Sequence, residues 1–113
     1  MDPQNKKPTE EQMQAWRDNY GKILVMESEV EVEGETLFVI ARKPSRASFD
    51  RYQDEVMKKG GKAMLQFVKE NILYPDKAVI TALFDKYPGI ANNLASSLQD
   101  AMGVSVTFTM TES

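Results

Sequence analysis

The fold of this chain is decided by residues 26–45, which read MESEVEVEGETLFVIARKPS. Acidic and apolar residues alternate with period two as far as Glu33, and a β-branched and aromatic run follows Gly34. Such alternation is typical of a half-buried strand, and a tight turn that contains glycine joins two strands into a hairpin. The pattern predicts a β-hairpin over residues 22–42, which ends before Pro44 because proline cannot donate to a strand ladder.

The same alternation predicts two unlike faces for the hairpin. Its turn lies at Glu33-Gly34 or at Gly34-Glu35, and either choice keeps the same apolar residues together. Two interpretations of the acidic face stay open: a docking surface for a basic partner, or a solvated edge strand that charge protects from aggregation. The acidic face carries Glu27, Glu29, Glu31 and Glu33, and the apolar face carries Val30, Val32, Leu37 and Val39.

Before the hairpin, the sequence predicts a flexible leader and one short helix. Residues 1–8 hold prolines and lysines with no apolar side chain to bury after the first methionine. Thr9 is placed to cap a helix, Gln12 can close a capping box, and Gly21 offers a stop. Trp16 is either a core anchor for this helix or an exposed contact residue.

After the hairpin, proline and glycine divide residues 45–103 into four short amphipathic helices. Breaks fall at Gly60-Gly61, Tyr74-Pro75 and Tyr87-Pro88, and each intervening segment carries an apolar stripe at helical spacing. The fourth helix has alanines among its apolar residues, so we expect it to pack centrally. The stripe residues predicted to contact a partner are Phe49, Tyr52, Met64, Phe67, Phe84, Tyr87, Ile90 and Leu94.

Residues 104–111 return to period two, with valine, phenylalanine and methionine alternating with serine and threonine. This pattern predicts a strand. A lone strand cannot satisfy its backbone groups, so it needs a partner strand. Two partners stay open: the hairpin of the same chain, which would give a third antiparallel strand, or the sheet edge of a neighbouring copy or of another protein.

Taken together, these segments predict one α+β domain over residues 9–113. An N-terminal helix and a hairpin, with or without the C-terminal segment as third strand, pack on a bundle of four short helices. The 113 residues suit one domain, and 42% hydrophobic with 27% charged residues is ordinary for a folded protein.

Composition excludes several classes of function. The chain has no cysteine and no histidine, which removes disulfides, thiolate metal sites and the commonest general base. We therefore expect no enzyme, no cofactor and no metal site. A net charge of −3 argues against nucleic-acid binding. With no signal peptide and no apolar run near the roughly 18 residues of a membrane helix, we expect a cytoplasmic protein.

Several runs resemble the small tail assembly chaperones of long-tailed bacteriophages, in which a hairpin ends in a basic-Pro-x-Arg step that leads into helices. The first such run extends from Glu33 to Val39 and continues from Arg42 to Phe49. The resemblance covers residues 34–103. The later runs are Ile72-Leu73-Tyr74-Pro75-Asp76, Leu83-Phe84-Asp85-Lys86-Tyr87-Pro88-Gly89-Ile90 and Met102-Gly103.

The resemblance implies a function without catalysis. Such a protein would coat the long, aggregation-prone tape measure protein, help recruit tail tube subunits around it in the host cytoplasm, and be absent from the mature virion. Self-association stays open. The alternative is an adaptor or inhibitor that binds a single folded partner through its acidic hairpin.

Overall fold

A computed structural model describes residues 6–113, which fold as the predicted α+β domain. Residues 1–5, the first part of the predicted leader, lie outside the described residues. The described part contains five helices and one three-stranded antiparallel sheet. In chain order the elements are α1 (Glu10–Tyr20), β1 (Ile23–Val32), β2 (Glu35–Arg42), α2 (Arg46–Lys59), α3 (Gly61–Asn71), β3 (Ile72–Tyr74), α4 (Lys77–Lys86) and α5 (Pro88–Ala101).

Helix α1 begins and ends as its end residues predict. The Thr9 hydroxyl accepts a hydrogen bond from the Gln12 amide, and the Gln12 side chain accepts one from the Thr9 amide, which completes the capping box. Just before it, Pro8 is buried and the carbonyl of Lys6 accepts a hydrogen bond from the Tyr74 hydroxyl. The last residues of the predicted leader therefore contact the domain instead of extending away from it.

Strands β1 and β2 form the predicted hairpin, with Val32 paired to Glu35 across a two-residue turn. Of the two turns that the sequence allows, the structure has Glu33-Gly34, with φ of 55° and 84°. Positive φ at both central positions matches the twist of the flanking strands. Gly34 adopts this conformation without steric cost, whereas Glu33 does so as a non-glycine residue.

A bulge interrupts β1 and changes the predicted apolar face. Between the pairs Glu27–Phe38 and Glu31–Thr36, residues 28–30 of β1 lie opposite Leu37 alone. The Ser28 hydroxyl fills the gap in the ladder, because it accepts a hydrogen bond from the Leu37 amide at 3.0 Å and donates one to the carbonyl of Val30 at 2.6 Å. Extra residues on one strand turn side chains away from their regular face.

The expected common face is therefore only partly formed. Leu37 and Val39 are buried and Val32 packs against them. Val30, in the bulge, is 73% exposed, so its predicted burial beside the other three is wrong.

The third strand of the sheet is β3. Residues 104–111 do not form the predicted strand, and of the two partners left open for them, the hairpin of the same chain is wrong. β3 follows α3 directly and pairs antiparallel with β2 through Ile40–Tyr74 and Ala41–Ile72. The sheet order is β1-β2-β3, so β3 occupies the side of β2 that the hairpin leaves open. The C-terminal segment then has no place beside β2.

The main core lies between one face of the sheet and helices α3, α4 and α5. As predicted, α5 is central, since four of its residues are buried. On the opposite face, Ile40 and Met13 of α1 are also buried, and the half-buried Trp16 ring lies 6.0 Å from that of Tyr74. The core cluster consists of Leu37, Val39, Ala41, Phe67, Val68, Ile72, Ile80, Leu83, Phe84, Ala91, Leu94, Ala95 and Leu98.

A polar network connects the end of β2 to helices α2 and α3. Asn71 is fully buried; its side chain donates to the Ser48 hydroxyl at 3.3 Å and accepts from the Arg42 guanidinium at 3.3 Å. The Ser48 hydroxyl in turn donates to the carboxylate of Glu70, which pairs with Arg51. Buried polar groups that have partners fix the orientation of the elements that carry them.

Candidate interaction surface

An open groove of about 500 Å³ lies between the hairpin and α5. We call it the hairpin groove. Its apolar lining combines the core-facing side of the hairpin with Ile90 and Leu94 of α5. It borders the bulge, where Val30 stands away from the core. The hairpin contributes the apolar residues Met26, Val30, Val32, Leu37 and Val39.

Polar groups surround this apolar lining. Ser96, Ser97 and Asn93 of α5 and the backbone segment of β1 that carries Glu27 and Glu29 complete the lining. Among residues 6–113, neither glutamate has an ion-pair partner. The groove can therefore accept a segment that has apolar side chains on one side and basic or hydrogen-bonding groups on another.

One end of the groove is held by an ion pair between the hairpin tip and the α4–α5 junction. The Lys86 ammonium donates to the Glu33 carboxylate, and the Tyr87 hydroxyl lies 3.4 Å from the same oxygen. The hydrogen bond and positive charge of Lys86 lower the pKa of Glu33, and Glu33 raises the pKa of Lys86. This contact connects the hairpin tip to the junction before α5.

The eight residues predicted to contact a partner do not form one surface. Phe67, Phe84 and Leu94 are buried, and the other five pack, partly exposed, against the same core. The Tyr52 ring, for example, stacks on Phe67 with 4.5 Å between the ring centres. The stripes face inward because each short helix must bury its only apolar side. Phe67 and Phe84, which lie in the core away from the hairpin groove, cannot reach a partner unless the core opens.

Only two of the eight predicted residues, Ile90 and Leu94, line the hairpin groove. The predicted contact residues did not include the hairpin side of the groove, although Met26, Val30 and Val32 are each followed by glutamate in a period-two pattern that marks one side of a strand. These residues were expected to be covered completely by the helices. The binding role of the predicted residues stays a prediction.

A second exposed apolar feature is the C-terminal arm, which we define as residues 104–113. It has no regular secondary structure. The chain measures 56 × 31 × 26 Å and has a radius of gyration of 15.4 Å, against about 13 Å for a compact chain of this length. The apolar residues of the arm are largely exposed to solvent: the exposed fraction is 53% for Val104, 59% for Val106, 91% for Phe108 and 93% for Met110.

Two other features are absent from the described residues. None of the helices within residues 6–113 combines the length and apolar character that a membrane crossing requires. The same residues contain no cluster of three or more acidic, histidine or cysteine side chains placed to hold a metal ion.

The described elements form a small α+β domain with an open apolar cleft between the hairpin and α5. Residues 16–111 match the family DUF6848, described as a domain of unknown function, and the chain belongs to this family. No curated protein sequence matches the chain.

A similar fold occurs in a solved structure, that of the uncharacterised protein rbstp2171 from Bacillus stearothermophilus. The TM-score is 0.72 with 19% sequence identity, over 88% of this chain and 99% of that chain. At this level of identity, the likeness shows a shared fold.

Proposed function

We propose that the protein is a phage or prophage tail assembly chaperone, which binds amphipathic segments of a tape measure protein in the hairpin groove. The observation that carries the binding role is the groove itself, with its apolar lining and polar margin. The assignment to a phage tail rests on the resemblance of residues 34–103. In this proposal the protein also helps recruit tail tube subunits, acts in the cytoplasm and is absent from the finished virion.

The size of the groove favours modest affinity. Burial of about 600 Å² of apolar surface contributes about 15 kcal/mol to the binding free energy. The loss of translational, rotational and side-chain entropy on binding offsets most of that contribution. Modest affinity suits a coat protein that must dissociate when tail tube subunits replace it. No catalytic group is needed for such a cycle.

A second candidate, an adaptor or inhibitor that binds one folded partner, is favoured by the acidic side of the hairpin. Glu27, Glu29 and Glu31 are exposed, and no cation within residues 6–113 pairs with them. Such a partner would present a basic surface, and its association would weaken as salt screens the charges.

Co-expression with fragments of a tape measure protein tests the first proposal. We expect the wild-type chain to keep an otherwise insoluble fragment soluble and to co-purify with it. Val30→Asp should abolish this effect, because it places a charge in the groove at a position 73% exposed. The matched control Met57→Asp, at a position 89% exposed and outside the groove, should leave it intact.

Failure of every fragment to co-purify would overturn the chaperone proposal. Glu31→Lys separates the second candidate, because Glu31 is exposed but does not line the groove. Loss of binding in Glu31→Lys with retention in Val30→Asp would favour the adaptor.

A further inference from the structure

We propose that the C-terminal arm of one copy pairs as a strand with the outer edge of β1 in a second copy, where its apolar side chains cover the hairpin groove. Within the described residues, neither the arm nor this edge pairs with a strand. The proposal concerns the protein alone and does not depend on a tape measure partner.

The outer edge of β1 is open to strand addition. β1 is the first strand in the order β1-β2-β3, and no strand within residues 6–113 pairs with its other side. An edge of this kind presents backbone N–H and C=O groups that can template another chain. β1 has 10 residues, about 33 Å when extended, and residues 104–111 would cover about 26 Å of it.

The two faces of the arm match the two faces beside β1. One row of the arm is apolar, and over the groove it would meet Met26 and Val30. The other row consists of hydroxyls, and it would lie beside Glu27 and Glu31, whose pairing with Phe38 and Thr36 places them on the opposite side of the sheet. Hydroxyl groups donate well to carboxylates, and residues 104–111 contain no acid to repel them.

The direction of α5 favours a second copy over the arm's own groove. α5 begins beside the hairpin tip, where Lys86 contacts Glu33, and continues along the groove through Asn93 and Ser97. An arm that folded back would run towards the tip, parallel to β1. The arm of a second copy can pair antiparallel, which is the commoner and slightly more stable arrangement.

Sedimentation of the full chain over a range of concentrations tests the association. We expect a monomer–dimer equilibrium that disappears when residues 104–113 are deleted, with the melting temperature of the monomer unchanged. Thr107→Glu with Thr109→Glu should weaken dimerisation by about tenfold or more, because it sets like charges side by side. The matched pair Thr107→Lys with Thr109→Lys should strengthen it, and added salt should reduce that gain.

Cross-linking locates the contact, since the chain has no cysteine of its own. Under mild oxidation, a mixture of Thr107→Cys and Glu27→Cys chains should give a covalent heterodimer. A mixture of Thr107→Cys with Met57→Cys, whose residue is exposed on α2, should give far less. The heterodimer is identified by mass after labelling one chain with heavy isotopes.

Three outcomes would overturn the proposal: a full-length chain that stays monomeric at every concentration, a dimer that survives removal of the arm, or equal cross-linking to both cysteine positions. A chain carrying both Thr107→Cys and Glu27→Cys that closes within itself at high dilution would show instead that the arm covers its own edge.

Discussion

Strand β2 and the C-terminal arm both have sequences typical of strands, but they lie in opposite environments. Both carry strand-forming residues, in β2 as a continuous apolar run from Leu37 to Ala41 and in the arm as a period-two alternation, yet Val39 is 2% exposed whereas Val106 is 59% exposed. β2 has a strand on each side and helices over its core face. Among residues 6–113 the arm has neither. A sequence typical of a strand is therefore not sufficient, because a strand also needs a neighbour that supplies hydrogen bonds.

The largest expected effect comes from placing the same charge in both segments. Val39→Asp should lower the free energy of unfolding by about 4 kcal/mol or more, because it buries a carboxylate with no partner. Val106→Asp should change it by less than about 0.5 kcal/mol, as for other exposed sites. Urea unfolding of dilute protein measures both, and similar losses would show that the arm packs on the domain.

Removing the buried side-chain amide of Asn71 should have the next largest effect on the free energy of unfolding. Asn71→Leu leaves the Arg42 guanidinium and the Ser48 hydroxyl without this partner, so we expect a loss of about 2 kcal/mol. The control Asn92→Leu changes an exposed amide on α5 and should have little effect on the free energy of unfolding. Equal stabilities for the two variants, measured by urea unfolding, would mean that the network does not stabilise β2.

Ser28→Ala should have a smaller effect at the bulge. The change removes the acceptor of the Leu37 amide, which corresponds to about 1 kcal/mol in the free energy of unfolding. The control Ser96→Ala alters an exposed hydroxyl of α5. Hydrogen exchange by NMR gives a local measurement: the Leu37 amide should exchange faster in Ser28→Ala alone, and an unchanged rate would assign its protection to another group.

The smallest effect concerns the contact between Glu33 and Lys86, and it depends on pH. Because the pKa of Glu33 is lowered in the folded chain, its stabilisation is present above the ordinary value of about 4.3 and is lost as pH falls through the folded pKa. Because the pKa of Lys86 is raised, its contribution is present below about 10.4 and is lost as pH rises through the folded pKa.

Lys86→Met should therefore lower the melting temperature slightly near neutral pH. The difference from wild type should vanish in acid, where Glu33 is protonated in both proteins. Lys62→Met, at an exposed position in the first turn of α3, is the control. A difference that persists unchanged at acid pH would assign the effect to lost packing of the lysine stem and not to its charge.

Much of the fold follows from local chemistry. The capping box at Thr9, the hairpin turn at Gly34 and the proline that begins α5 at Pro88 depend on neighbours within a few residues. The candidate site was harder to predict from the sequence, since only Ile90 and Leu94 among the predicted contact residues line the groove. An apolar stripe shows that a helix buries one side, but it does not show whether the covering partner is its own core.

The sequence alone suffices for the order and type of nearly all the elements, because caps, turns and periodicity act over short distances. Long-range packing was needed for three features: β3 beside β2, the bulge at Ser28, and the exposure of residues 104–111. Each depends on which segments meet across the fold. β2 can accept one strand besides β1, and β3 takes that position. The C-terminal alternation therefore has no neighbouring strand within residues 6–113.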